Sequence, residues 1–125
     1  AKAALKEVHL PDSLTEIGNY ALMDKENLKS VTIPENVKSV GKMAFAFIDG
    51  IQVTCKNADA MTFGDNVFYS CGSSSVLSLP DTDSWKEALK AGKISFPGTI
   101  RIGDRNYSAN SGGGGASGGS AGDKS

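Results

Sequence analysis

Apolar side chains return along this chain in short alternating pairs, each closed by a proline. Val8-His9-Leu10-Pro11, Val31-Thr32-Ile33-Pro34 and Leu77-Ser78-Leu79-Pro80 carry the same side-chain classes in the same order. Alternation puts the apolar pair on one side of a short strand. Proline then ends the strand, because it has no N–H for a ladder. Beyond each proline, apolar residues point back at a three-residue step: Leu14 and Ile17 in one copy, Val37 and Val40 in the next. A glycine follows, and its missing Cβ allows a backbone turn that a side chain would hinder. Ala44-Phe45 then supplies one small and one large core side chain.

The step between copies is 23 residues. It separates Pro11 from Pro34, Gly18 from Gly41 and Gly41 from Gly64, and Pro80 lies two such steps beyond Pro34. No single copy can bury its own apolar face. Stacked copies form a continuous core, with parallel pairing between strands of neighbouring copies. The pattern predicts an α/β-type solenoid: a right-handed coil of short parallel strands, turn or short-helix segments, and a helix capping its C-terminal end. Leu5 and Leu28 are also 23 apart, so the chain is expected to begin inside a repeat, as an excised piece would.

The third copy is degenerate. Strict register puts Thr54 and Lys56 in core slots and Asn57 where proline should stand. Burying an unpaired Lys56 is costly, so a one-residue shift is preferred, with Val53 and Cys55 inward and Thr54 outward. That requires a shorter loop near Asp49-Gly50 and a longer one near Asn57-Ala58-Asp59. After Pro80 the pattern changes. Asp83 or Ser84 can cap a helix, and Glu87 completes a capping box with Ser84. Lys90 suits the C-terminal end and Gly92 stops it. Ile94-Ser95-Phe96, Pro97-Gly98 and Thr99–Ile102 read as strand, turn, strand. The expected organisation is therefore a repeat domain over 1–107, with repeats at about 8–30, 31–52 and 53–75, a partial copy at 76–83, a capping helix at 84–91 and closing strands at 94–107. Residues 108–125 read SANSGGGGASGGSAGDKS and have nothing apolar larger than alanine, which marks a flexible linker.

Composition narrows the chemistry. The 125 residues are 39% hydrophobic and 22% charged with a net charge of −1, which suits one small domain and argues for no nucleic-acid or anionic-membrane partner. No apolar run approaches the ~18 residues that a membrane span needs, and the first residues lack a signal-peptide pattern. Cys55 and Cys71 are the two cysteines; buried free thiols are favoured over a bridge between them, and no metal-ligand spacing surrounds either. His9, the single histidine, falls between two inward positions and so points out of its strand, without the partners that a catalytic base needs. The serines lack a nucleophile-elbow context. Asp81, Asp83 and Asp104 read as turn and capping residues, since the glycine and distal glutamate of a calcium loop are missing. Asn106-Tyr107-Ser108 matches a glycosylation sequon, a pattern short enough to arise by chance. No catalytic residue, metal ligand or cofactor is expected.

At family level, Leu28-x-x-Val31-x-Ile33-x-x-Asn36 resembles the leucine-rich-repeat signature. Ile33-Pro34-x-x-Val37-x-x-Val40-Gly41-x-x-Ala44-Phe45 resembles its 23-residue BspA-like subtype, and Leu79-Pro80 with a tryptophan-bearing helix is similar to the C-terminal closure of such proteins. The resemblance spans Leu5 to Ala91. It implies a module of a secreted or cell-surface protein, commonly bacterial, that binds host matrix or other bacterial surface proteins as an adhesin. The alternative is an architectural spacer that presents a neighbouring domain. A monomer with no enzymatic activity is expected. The candidate protein-binding face is the outward side of the strands: Lys6, Glu7, His9, Lys29, Ser30, Thr32, Thr54 and Ser78.

Overall fold

The computed structural model describes residues 7–25 and 28–108. Strand β1 (Glu7–His9) opens the described part, and β3 (Ser30–Ile33), β5 (Gln52–Cys55) and β7 (Val76–Leu79) follow at one coil each. They pair in parallel, Val8 with Val31, Val31 with Val53, and Val53 with Leu77. The two final strands, β8 (Thr99–Ile102) and β9 (Arg105–Ser108), extend this sheet to six, β8 parallel to β7 and β9 antiparallel to β8. A second sheet is built from the two-residue strands β2 (Glu16–Ile17), β4 (Ser39–Val40) and β6 (Thr62–Phe63).

The third copy takes the shifted register. Val53 and Cys55 are buried beside Val31 and Ile33, while Thr54 is exposed. Ser30 and Gln52 are paired at a step of 22 residues, Gln52 and Val76 at a step of 24. In the second sheet the step from Ser39 to Thr62 is still 23. The missing residue therefore falls before β5 and the extra one after it. Lys56 stands where a proline ends the other strands, and its N–H donates to the Ile33 carbonyl at 3.0 Å, a bond that proline cannot make.

Each coil has a third side made only of turns. Residues 19–24, 42–47 and 65–70 stack with alternating hydrogen bonds. The N–H groups of Tyr20, Leu22 and Asp24 donate to Lys42, Ala44 and Ala46 at 2.8 Å each, and those of Met43, Phe45 and Phe47 donate to Asp65, Val67 and Tyr69 at 2.8–3.0 Å. The intervening N–H groups of Ala21, Met23, Ala44 and Ala46 bond within their own coil, three residues back. This alternation requires left-handed residues, which recur at the coil period: Tyr20, Met43 and Asn66, then Asp24, Phe47 and Ser70. The conserved-spacing glycines do something other than the turn expected of them. A Cβ on Gly41 would sit 2.5 Å from the Asn19 backbone nitrogen, and one on Gly64 2.8 Å from that of Lys42. These glycines let consecutive coils touch backbone to backbone; neither has a positive φ.

Inside the triangular coil lie Val31, Ile33, Val37, Val40, Phe45, Ile48 and Ile51 and their counterparts. Phe45, Phe68 and Phe96 form a column along the axis, with ring centroids 5.7 Å and 4.9 Å apart. The one helix among the described residues, α1 (Asp83–Lys90), replaces the second-sheet strand of the fourth coil. The α/β character expected of the fold therefore rests on α1 alone, since the repeats alternate strand and turn. Its N-cap is Thr82, one residue before the expected position: Thr82 is extended, and its hydroxyl accepts from the Trp85 N–H at 3.4 Å and donates to the Ala58 carbonyl at 2.8 Å. Ser84 instead accepts the Ala60 N–H at 2.8 Å. The strand expected over Ile94–Phe96 is not formed: those residues have no regular secondary structure, although Ile94 and Phe96 are buried. Ser108 belongs to β9, and the rest of the expected linker, 109–125, lies outside the described residues.

Candidate functional site

The outward side of the six-stranded sheet is a surface assembled from residues far apart in the chain. Because side chains alternate along a strand, register alone decides which of them meet. One row runs Thr32, Thr54, Ser78, Arg101 and Asn106, the other Ser30, Gln52, Val76, Thr99 and Ser108. At about 4.8 Å between strands, each row extends roughly 19 Å. On β3, β5, β7 and β8 these residues are half-buried or exposed, while their neighbours in sequence are buried.

Of the expected face, Ser30, Thr32, Thr54 and Ser78 are brought together. Lys29 is exposed but precedes β3 and falls outside both rows. The backbone of β1 sets Glu7 and His9 in register with Ser30 and Thr32, and Lys6 lies outside the described residues. Gln52, Val76, Thr99, Arg101, Asn106 and Ser108 complete the rows and were not expected. The shifted register already exposed Gln52 to inference, and the β8 pattern exposed Thr99 and Arg101. Val76 gave no such signal, being an apolar residue on the solvent side.

The face is rich in hydroxyl and amide groups, which both donate and accept hydrogen bonds. Arg101 is the one formal charge in the two rows. Gln52 is held flat, its Nε2 donating to the carbonyls of Gly50 and Ser74 at 3.2 and 3.4 Å. Such a surface offers many weak polar contacts and no activated group. Among the described residues, no three His, Cys, Asp or Glu side chains gather as a metal site would require. No described helix is long and apolar enough to cross a membrane.

The two cysteines are free and buried. Burial pushes the Cys55 thiol up to about 12 from 9.0. Burial also raises Cys71, with a smaller contribution from Asp49, although a hydrogen bond with the Ile48 backbone works the other way. Its Sγ lies 3.1 Å from the Phe45 carbonyl as donor. Protonated thiols enclosed in this way are poor nucleophiles.

Two concavities stand out among the described residues. One, of about 300 Å³, lies against Ile17, Gly18, Val40 and Gly41 on the second sheet. The other, of about 190 Å³, is a groove on the turn side, between Asn66–Ser70 and Ser95–Pro97. Sequence reasoning missed that groove and also the role of Asn57. Asn57 is buried; its Nδ2 donates to the Val37 carbonyl at 2.9 Å, its Oδ1 accepts the Asp59 N–H at 2.9 Å, and its carbonyl accepts Trp85 Nε1 at 2.7 Å. It joins the second coil, the third and α1.

Residues 1–110 match, in six copies, the family model described as BspA type leucine rich repeat region. No curated protein sequence and no solved structure matches the chain.

Proposed function

The chain belongs to the BspA-type leucine-rich-repeat family, and from that premise we propose that it is a non-catalytic protein-binding module that uses the outward face of its six-stranded sheet. Repeats of this kind generally serve as interaction scaffolds. The observation that carries the reading is the pair of polar rows: five strands hold Thr32, Thr54, Ser78 and their neighbours in one rigid array. A rigid array loses little entropy on binding. The partner is a protein, either of the host matrix or of another bacterial surface, and the setting is extracellular, within a larger secreted or surface-attached protein. The coil is right-handed, as crossovers between parallel strands nearly always are, and α1 closes the C-terminal end of the core.

Thr54 lies between Thr32 and Ser78 in its row and is exposed. Thr54→Arg places a bulky charge there without touching the core. In a binding assay against a panel of matrix and bacterial surface proteins, the reading requires at least one specific partner whose affinity falls about tenfold or more in this variant, with an unchanged melting temperature. A panel without a partner, or a partner indifferent to Thr54→Arg, rejects it.

A further inference from the structure

The groove on the turn side lies where the inter-coil ladder stops. In the first two coils, alternate N–H groups of the turn segment all donate to carbonyls of the next coil. In the third coil the equivalent donors are the N–H groups of Asn66, Phe68 and Ser70. Among the described residues none accepts from them. All three residues line the groove, and Asn66 and Ser70 are exposed there, so this edge of the ladder is accessible to an incoming acceptor. The cause lies in the fourth coil. Its eight-residue helix advances only ~1.5 Å per residue, and residues 93–96, which follow it, form no turn that would continue the ladder. Phe96 reaches Phe68 with its ring, but the backbone of Ser95–Pro97 stays across the groove.

What covers these donors elsewhere in the molecule is a peptide backbone presenting carbonyls at every second residue. The groove walls suit that occupant. Tyr69 is 54% exposed and meets Phe47 edge to face at 5.5 Å. Phe96 and Pro97 form the opposite wall, Asn66, Ser70 and Ser95 the polar rim, and none of the lining residues is charged. A volume of about 190 Å³ admits one side chain rather than a whole compact ligand, since small-molecule pockets usually measure ~300–1,000 Å³.

We infer that this groove docks an extended, uncharged peptide segment of a partner protein. The segment continues the ladder by accepting from Asn66, Phe68 and Ser70 and seats one apolar side chain between Tyr69 and Pro97, a form of strand addition. The inference rests on the protein-binding reading but uses a different side of the coil, so the two can fail separately.

The test is a displayed library of short random peptides selected on the full chain, with enriched peptides then titrated into isotope-labelled full chain. The expected result is slowed hydrogen exchange at the amides of Asn66, Phe68 and Ser70. Affinity should drop about tenfold when alternate peptide amides are replaced by esters, whose carbonyls accept more weakly, and again in Tyr69→Ala. Four results overturn the inference. The three amides are already protected in the free chain, so that the chain itself fills the groove. No peptide is enriched. Enriched peptides instead perturb β3 and β5, which leaves the sheet-face reading standing. Or a neutral oligosaccharide, but no peptide, perturbs the groove amides.

Discussion

At the scale of single residues, two sets of positions separate local preference from neighbour contact. Gly18, Gly41 and Gly64 look equivalent in the sequence. A Cβ on Gly41 meets Asn19, whereas one on Gly18 meets nothing within 4 Å. Gly41→Ala should therefore cost ~1–3 kcal/mol by overpacking. Gly18→Ala should be neutral or stabilising by up to ~1 kcal/mol, because alanine restricts the unfolded chain. Equal melting temperatures for the two variants would reject backbone stacking as the role of Gly41. The thiols make the second case. Cys55 titrates at about 12 in the fold against 9.0 as a free group. Its folded pKa is raised, so its contribution is complete below pH ~9 and fades as pH climbs toward 12. The slope approaches 1.4 kcal/mol per pH unit for one such group. Thermal unfolding followed from neutral pH upward should show a shallower alkaline loss in Cys55→Val than in the parent chain; parallel curves would mean that Cys55 is not desolvated as its burial indicates.

Elements obey the same division between local signal and neighbour. The helix was legible from its composition, including its stop at Gly92, which has φ +76. Its start was not, because Ser84 and Glu87 form a plausible capping pair in isolation. Tertiary bonds decide the matter: the Ser84 hydroxyl is taken by Ala60, and Thr82 bridges the helix to Ala58. Thr82→Ala should lower stability by ~1 kcal/mol through the lost cap, and by somewhat more through the bond to Ala58. Glu87→Gln should change it by less than ~0.5 kcal/mol, since no cap depends on Glu87. Chemical denaturation of the two variants distinguishes them, and the reverse order would restore the capping box. The turn ladder was less legible still. Its left-handed positions hold tyrosine, methionine, phenylalanine, aspartate, asparagine and serine. No single residue type flags them, and hydrogen bonds from the next coil hold the conformation.

For the molecule as a whole, stability is a sum of coil-to-coil contacts. Phe45 is fully buried in the central coil and stacks on Phe68 with rings 7° from parallel. Phe45→Ala should cost ~3–5 kcal/mol, a large share of the ~5–15 kcal/mol available to a domain. A melting temperature within a degree or two of the parent would show that the ring column does not hold the stack. The open sides are set at this scale too. The sheet face exists because six strands from Glu7 to Ser108 align. The groove lies where the fourth coil, with a helix in place of its second-sheet strand, does not continue the turn ladder among the described residues.

The 23-residue period, the inward residues of β3, β5 and β7, the preferred shift at Val53 and Cys55 and the presence of a terminal helix were all determined by the sequence. Each is a pattern of side-chain classes that a single coil repeats, and the cost of burying Lys56 was enough to choose the register. Only the tertiary structure decided which outward residues share a row, where Asn57 bonds, which glycines carry a backbone contact and where the turn ladder ends among the described residues. These depend on neighbours more than twenty residues away, and the chain shortens one step to 22 residues and lengthens the next to 24. With a side-chain period of two, a one-residue change of that kind exchanges the inward and outward sides of a strand.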